Sequence, residues 1–109
     1  MRMLMKVSFP VEAGNAAARQ GILGSRVKAI LDDLKPESVY FCANECGERC
    51  GYIVFDMKET SQIPSIAEPW FLTFNASITL TPAMTLQDLA AAGSGIERAV
   101  KKYGKSKKG

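Results

Sequence analysis

Apolar side chains fall on alternate positions from Met3 to Phe9 (Met3, Met5, Val7, Phe9), with Arg2, Lys6 and Ser8 between them and Leu4 the exception. Period two predicts a strand with one buried face, and Pro10 ends it because proline cannot donate to a ladder. Beyond Gly14 and Asn15 the spacing changes to Leu23, Val27, Ile30, Leu31 and Leu34, one apolar face of a helix. Gly21 and Gly24 weaken its first half, so a late or irregular start is expected. Lys35 and Pro36 stop it. Val39, Phe41 and Ala43 begin a second alternation, with Tyr40, Cys42 and Asn44 on its other face. A turn from Glu45 to Arg49 containing Gly47 leads to a third, with Ile53, Phe55 and Met57 opposite Tyr52, Val54 and Asp56. Two β-runs around a glycine-bearing turn predict a hairpin.

The second half repeats the grammar. Ile63, Ile66, Ala67, Trp70, Phe71 and Phe74 form an amphipathic helix, with Pro64 in its first turn and Asn75 at its end. Pro69 inside it is expected to kink or divide it. Ile78, Leu80, Pro82 and Met84 alternate with Ser77, Thr79 and Thr81, a fourth strand that its proline assigns to an edge or a strand end. Thr85 with Asp88 reads as a helix cap, and Leu86, Leu89, Ile96, Val100 and Tyr103 give a last helix interrupted at Gly93 to Gly95. This order predicts an α+β, ferredoxin-like β-α-β-β-α-β fold with a C-terminal helix. Its two main helices would cover one face of a four-stranded antiparallel sheet in strand order 4-1-3-2.

The other sheet face is then uncovered. By parity it carries Arg2, Leu4, Lys6 and Ser8; Tyr40, Cys42 and Asn44; Tyr52, Val54 and Asp56; and Ser77, Thr79 and Thr81. That set is too apolar for free solvation and too polar for a sealed core. It suits partial cover by another sheet around a cavity, and the simplest partner is a second copy, since a two-fold dimer needs one self-complementary surface.

Length and composition narrow the classes. The 109 residues, 47% hydrophobic and 23% charged, suit one soluble domain. The net charge of +3 lies in a tail, because residues 1–100 hold nine Lys and Arg against eleven Asp and Glu. We therefore divide the chain into a domain over 1–100 and a basic tail over 101–109. Five lysines without an aromatic platform read as a solvated terminus, so neither nucleic acid nor a membrane is an expected partner. No apolar stretch approaches transmembrane length and no secretory signal is evident, so a cytoplasmic location with reduced thiols is expected.

The order of elements, and especially AEPWFLTFNASITLTPAMTLQDLAAAG from Ala67 to Gly93, resembles a family of small bacterial proteins of unknown function placed in the dimeric α/β-barrel superfamily. The resemblance implies a sheet-to-sheet homodimer with a pocket. That superfamily includes antibiotic-biosynthesis-type monooxygenases, muconolactone isomerases, haem-degrading enzymes and stress-response proteins, so the resemblance implies no single chemistry.

The chain has no histidine. Ser-His-Asp and Cys-His devices, haem on a proximal His and His-bearing metal centres are thereby excluded within it. Cys42, Cys46 and Cys50 are spaced C-x3-C-x3-C, which is not the knuckle of a structural zinc site. They read as ordinary thiols, with no metal and no cofactor. With the turn centred near Cys46, Cys42 and Cys50 would face each other and could be bridged on oxidation, and Cys46 at the tip would react first. Lys6 and Asp56 are the weak catalytic candidates, as a base and its charge partner on the uncovered face. The competing reading is an ion pair in a structural interface. Tyr40, Cys42, Asn44, Tyr52 and Thr79 are the ligand-binding candidates beside them. Trp70, Phe71 and Phe74 read as core, and Gly93-Ser94-Gly95 lacks the context of a phosphate loop. Whether the chain is an enzyme stays open. The sequence favours a homodimer with a small-molecule pocket between paired sheets. The alternatives are a cofactor-independent monooxygenase or isomerase of a small aromatic or unsaturated substrate, and a purely structural dimer.

Overall fold

The computed structural model describes residues 1–104. Four strands, β1 (Arg2–Ser8), β2 (Ser38–Ala43), β3 (Arg49–Asp56) and β4 (Ser77–Pro82), form an open antiparallel sheet in the order β2-β3-β1-β4. Five helices accompany it among the described residues: α1 (Val11–Arg19), α2 (Leu23–Leu34), α3 (Ile63–Phe74), α4 (Leu86–Ala91) and α5 (Gly93–Tyr103). A 3-10 turn at Thr60–Gln62 leads into α3. None of the helices is long and apolar enough to cross a membrane.

The pleat sorts the strands as the alternation requires. Met3, Met5, Val7 and Phe9 are buried with Ile53, Phe55 and Met57 on the face that α1 and α3 cover. Ile78 and Leu80 of β4 pack against this core from the edge. Its centre is aromatic: Phe9 stacks on Phe74 with centroids 4.2 Å apart, and Trp70 lies 6.1 Å from Phe9 and 6.3 Å from Phe74. Trp70 and Phe74, one turn apart on α3, are each 1% exposed.

The helices depart from expectation in three places. The first helical segment is two helices, because Gly21 takes φ +72° and turns the chain between α1 and α2; a left-handed residue cannot continue a right-handed helix, and glycine adopts it without a Cβ penalty. Pro69 does not divide α3, which runs unbroken to its left-handed cap at Asn75 (φ 52°). Packing of Trp70 and Phe74 together into the core outweighs the single hydrogen bond that the proline removes. The last helix does break, but at Ala92, so that Gly93, Ser94 and Gly95 form the first turn of α5. Thr85 and Asp88 cap α4 reciprocally, the Asp88 N–H donating to Thr85 Oγ1 at 3.1 Å and the Thr85 N–H to Asp88 Oδ2 at 2.9 Å. Lys101 and Lys102 of the basic tail belong to α5, whereas Lys105, Lys107 and Lys108 lie outside the described residues.

Coverage of the inner sheet face is uneven. α3 sits tightly on the core, while no residue of α2 is fully buried and its apolar stripe is only half-covered. Phe41, which points to the helix side of edge strand β2, is 64% exposed. If the aromatic cluster holds the fold together, Phe74→Ala should lower unfolding free energy by about 3–5 kcal/mol, and Phe71→Ala, on the exposed side of the same helix, by less than half as much. Urea unfolding followed by the fluorescence of Trp70 checks both; equal losses would contradict this assignment of the core.

Candidate functional site

Two surfaces can host chemistry, one on each side of the sheet. On the outer face the register places Tyr40, Tyr52, Lys6 and Thr79 in a single row across all four strands, since Tyr40 pairs with Tyr52, Tyr52 with Lys6 and Lys6 with Thr79. The Lys6 ammonium lies 5.9 Å from the centre of the Tyr52 ring, within cation–π range. Cys42 stands opposite Cys50 at one end of this face. Cys42 and Cys46 are exposed, whereas Cys50 is buried, and burial pushes the Cys50 thiol up. Among the described residues no three Cys, Asp or Glu side chains converge as a metal site would require.

The structure does not bring Lys6 and Asp56 together. Asp56 pairs with Arg2, four positions along β3 from the partner of Lys6, a separation of about 13 Å at strand rise. Each has another partner. Asp56 accepts from the Met1 ammonium at 2.8 Å and borders a depression of about 350 Å³ beside Ile66 and Trp70. Lys6 donates to Glu45 at 3.0 and 3.2 Å, so the β2–β3 turn is tied down onto β1.

Asn44 organises that turn and is fully used in doing so. Its Oδ1 accepts from the Cys46 and Glu48 N–H groups, both at 2.9 Å, while Nδ2 donates to Ser8 Oγ at 3.1 Å and to Glu48 Oε1 at 3.0 Å. An amide side chain has two donors and two acceptor positions, so Asn44 builds the site and has nothing left for a ligand. Gly47 completes the turn at φ +75°. The outer face thus offers a depression of about 270 Å³ among Lys6, Asn44, Glu45 and Thr79, small beside the roughly 300–1,000 Å³ of ligand sites.

The larger space lies on the opposite side of the sheet. A cleft of about 720 Å³ opens between α2 and the β2–β3 edge, lined by Leu23, Val27 and Leu31 from above, Phe41 and Ile53 from below, and Trp70 at its back. α2 leans on α1 and α3 instead of lying on the sheet, which leaves the gap. Gly51 takes part, because the Phe41 ring lies 3.5 Å from where a Cβ would stand. The Lys28–Asp32 pair, 2.7 Å apart, sits on the rim and cancels its own charge. Arg49 also lines the cleft; its guanidinium reaches only the neutral Asn15 Oδ1, at 3.2 Å, and has no carboxylate partner among the described residues. Trp70 adds a buried indole N–H without an acceptor.

The family described as Domain of unknown function (DUF3303) matches residues 1–97. The chain belongs to that family. The DUF3303 match spans both surfaces and ends inside α5. No curated protein matches the chain.

The candidates read from the sequence lie on the outer face; of the cleft residues, the sequence gives Trp70 as core and Leu23, Val27 and Leu31 as an apolar helix face. The available signal was an apolar stripe on α2 with no bulky counterpart on β2 except Val39 and Phe41.

The Lys6–Glu45 contact sets a pH dependence. The hydrogen bond to Glu45 raises the Lys6 ammonium, and the Glu45 carboxyl is lowered by its own backbone N–H and by Lys6. A depressed carboxyl contributes above the ordinary carboxylate range and loses its contribution as pH falls through its folded value. A raised ammonium contributes below its ordinary range and loses its contribution as pH climbs through its folded value. The tether is therefore constant through neutral pH and fails at both extremes. In Glu45→Gln the Lys6 titration midpoint, read from the side-chain nitrogen by NMR, should fall towards the ordinary lysine value. An unchanged midpoint would show that the contact does not form.

Proposed function

We propose that this DUF3303 protein is a ferredoxin-like homodimer, paired through its outer sheet face as in a dimeric α/β barrel, that binds a small apolar molecule carrying an anionic end in the cleft beneath α2. The observation that carries the reading is the combination of an apolar cleft of about 720 Å³ with one cation, Arg49, that has no carboxylate partner among the described residues. Hydrophobic walls supply affinity by burying ligand surface. A few placed polar groups then fix orientation. A guanidinium suits a carboxylate because it offers paired donors in one plane. Binding without turnover is the simpler reading, because the close acid–base pair at the cleft rim, Lys28 and Asp32, is spent on itself. Lys6, Tyr40, Tyr52 and Thr79 are then interface residues of the paired sheets, and Cys42 lies at their margin.

Trp70 is the sole tryptophan of the chain and lines the cleft, so it reports occupancy directly. Titration with a naphthoate should change its fluorescence saturably, with Kd in the micromolar range. Arg49→Met should weaken naphthoate roughly tenfold or more, the worth of a charged hydrogen bond, and leave a neutral naphthalene analogue unaffected. Gly24→Leu, for which there is open space at the cleft mouth, should block both ligands without unfolding the chain. No saturable change up to millimolar ligand would overturn the reading.

A further inference from the structure

Among the described residues the C-terminal helices have no substantial partner in the body of their own chain. α4 and α5 adjoin at Ala92 and make no substantial contact with the body among the described residues, and the protein measures 66 Å along its long axis against 32 and 22 Å across. Its radius of gyration is 18.9 Å, where a compact chain of this length has about 13 Å. Yet the arm is amphipathic. Ile96, Val100 and Tyr103 follow helical spacing on α5 at 52%, 58% and 77% exposure, and Leu86 and Leu89 continue the stripe on α4. Isolated helices shorter than about 12–15 residues are marginal in water, and α4 and α5 have 6 and 11. Their stability has to come from a surface that they cover.

We propose that this surface is a second copy of the chain: the arm of each protomer crosses the β2 edge of the other and closes the mouth of its cleft over Phe41 and the apolar stripe of α2. The inference rests on the sheet-paired dimer proposed above and adds that the site is completed by the partner. Three observations support it. First, the arm leaves the sheet at edge strand β4, after only residues 83–85. Face-to-face sheets related by a two-fold axis along the strands place β4 of one copy over β2 of the other. The gap between packed sheets is about 10 Å, and the arm spans roughly 25 Å of helix, so the cleft is within reach.

Second, the outer face alone is a small interface. Four strands of about six residues cover roughly 19 by 20 Å, or about 400 Å² per copy before side-chain relief, against the roughly 1,200–2,000 Å² in total that stable interfaces bury. Two exchanged arms supply what the sheets lack. Third, the charges agree. α5 carries Arg98, Lys101 and Lys102 against Glu97 alone, whereas residues 1–85 hold nine acidic and eight basic side chains, among them exposed Asp33 at the C-terminal end of α2.

The test uses the full chain with Ile96→Asp and Val100→Asp combined, both exposed within the protomer and so harmless to its own core. Sedimentation equilibrium gives the dimer constant, and hydrogen exchange gives the protection of α5. The wild type should be a dimer with α5 amides protected in proportion to dimer content, and the double variant should dimerise at least a hundredfold more weakly with α5 unprotected. Phe41→Asp should reproduce the loss. Undiminished dimerisation of the double variant would overturn the arm exchange while leaving the sheet pairing intact. A wild-type monomer at tens of micromolar would overturn both, and protected α5 amides in such a monomer would place the arm on its own body.

Discussion

The stacking of Phe9, Trp70 and Phe74 closes the centre of the interior, with Phe9 and Phe74 4.2 Å apart between ring centroids. It fixes α3 against the β1 side of the sheet, and with Met5, Val7, Ile53 and Phe55 it forms the only well-sealed part of the interior among the described residues. Because a 109-residue chain has limited apolar material, tight packing there leaves α2 to rest on its neighbouring helices. The cleft is the consequence. Trp70 stands at the boundary, one side sealed in the core and the other facing the space under α2.

The sheet therefore has two incompletely covered sides of different character. The outer side is amphipathic and carries its charges in local pairs, Lys6 with Glu45 and Arg2 with Glu37, an arrangement that suits contact with another protein surface. The inner cleft is apolar with Arg49 at its wall, an arrangement that suits a small molecule. In the proposed dimer with exchanged arms these would be one design, in which pairing the outer faces carries each arm to the other copy's cleft.

Much of this was legible in the sequence, and the rest fails for identifiable reasons. Alternation from Met3 to Phe9 and from Ile53 to Met57 assigned inner and outer faces correctly because period two follows directly from the pleat. The Thr85–Asp88 cap was legible because capping is local. The Lys6–Asp56 association was not: parity states which face a residue occupies but not its position along the partner strand, and the four-position offset is set by the register of β1 on β3, which no short turn fixes. The division of α1 from α2 hung on a single positive φ at Gly21. The cleft was illegible because the stripe of Leu23, Val27 and Leu31 reads alike whether a helix lies on a sheet or stands off it. The number of side chains beneath decides between the two, and this is a tertiary property.

The proposed ligand site lies under α2 and not on the outer sheet face. The lone indole N–H of Trp70 gives an isolated signal in a nitrogen–proton correlation spectrum, and the backbone amides of Lys6, Tyr52 and Thr79 mark the opposite side. On addition of an aromatic carboxylate, the Trp70 indole and the amides of Val27 and Leu31 should shift along one saturating curve while those of Lys6, Tyr52 and Thr79 hold still. Shifts confined to the outer-face amides, with the indole unmoved, would contradict it.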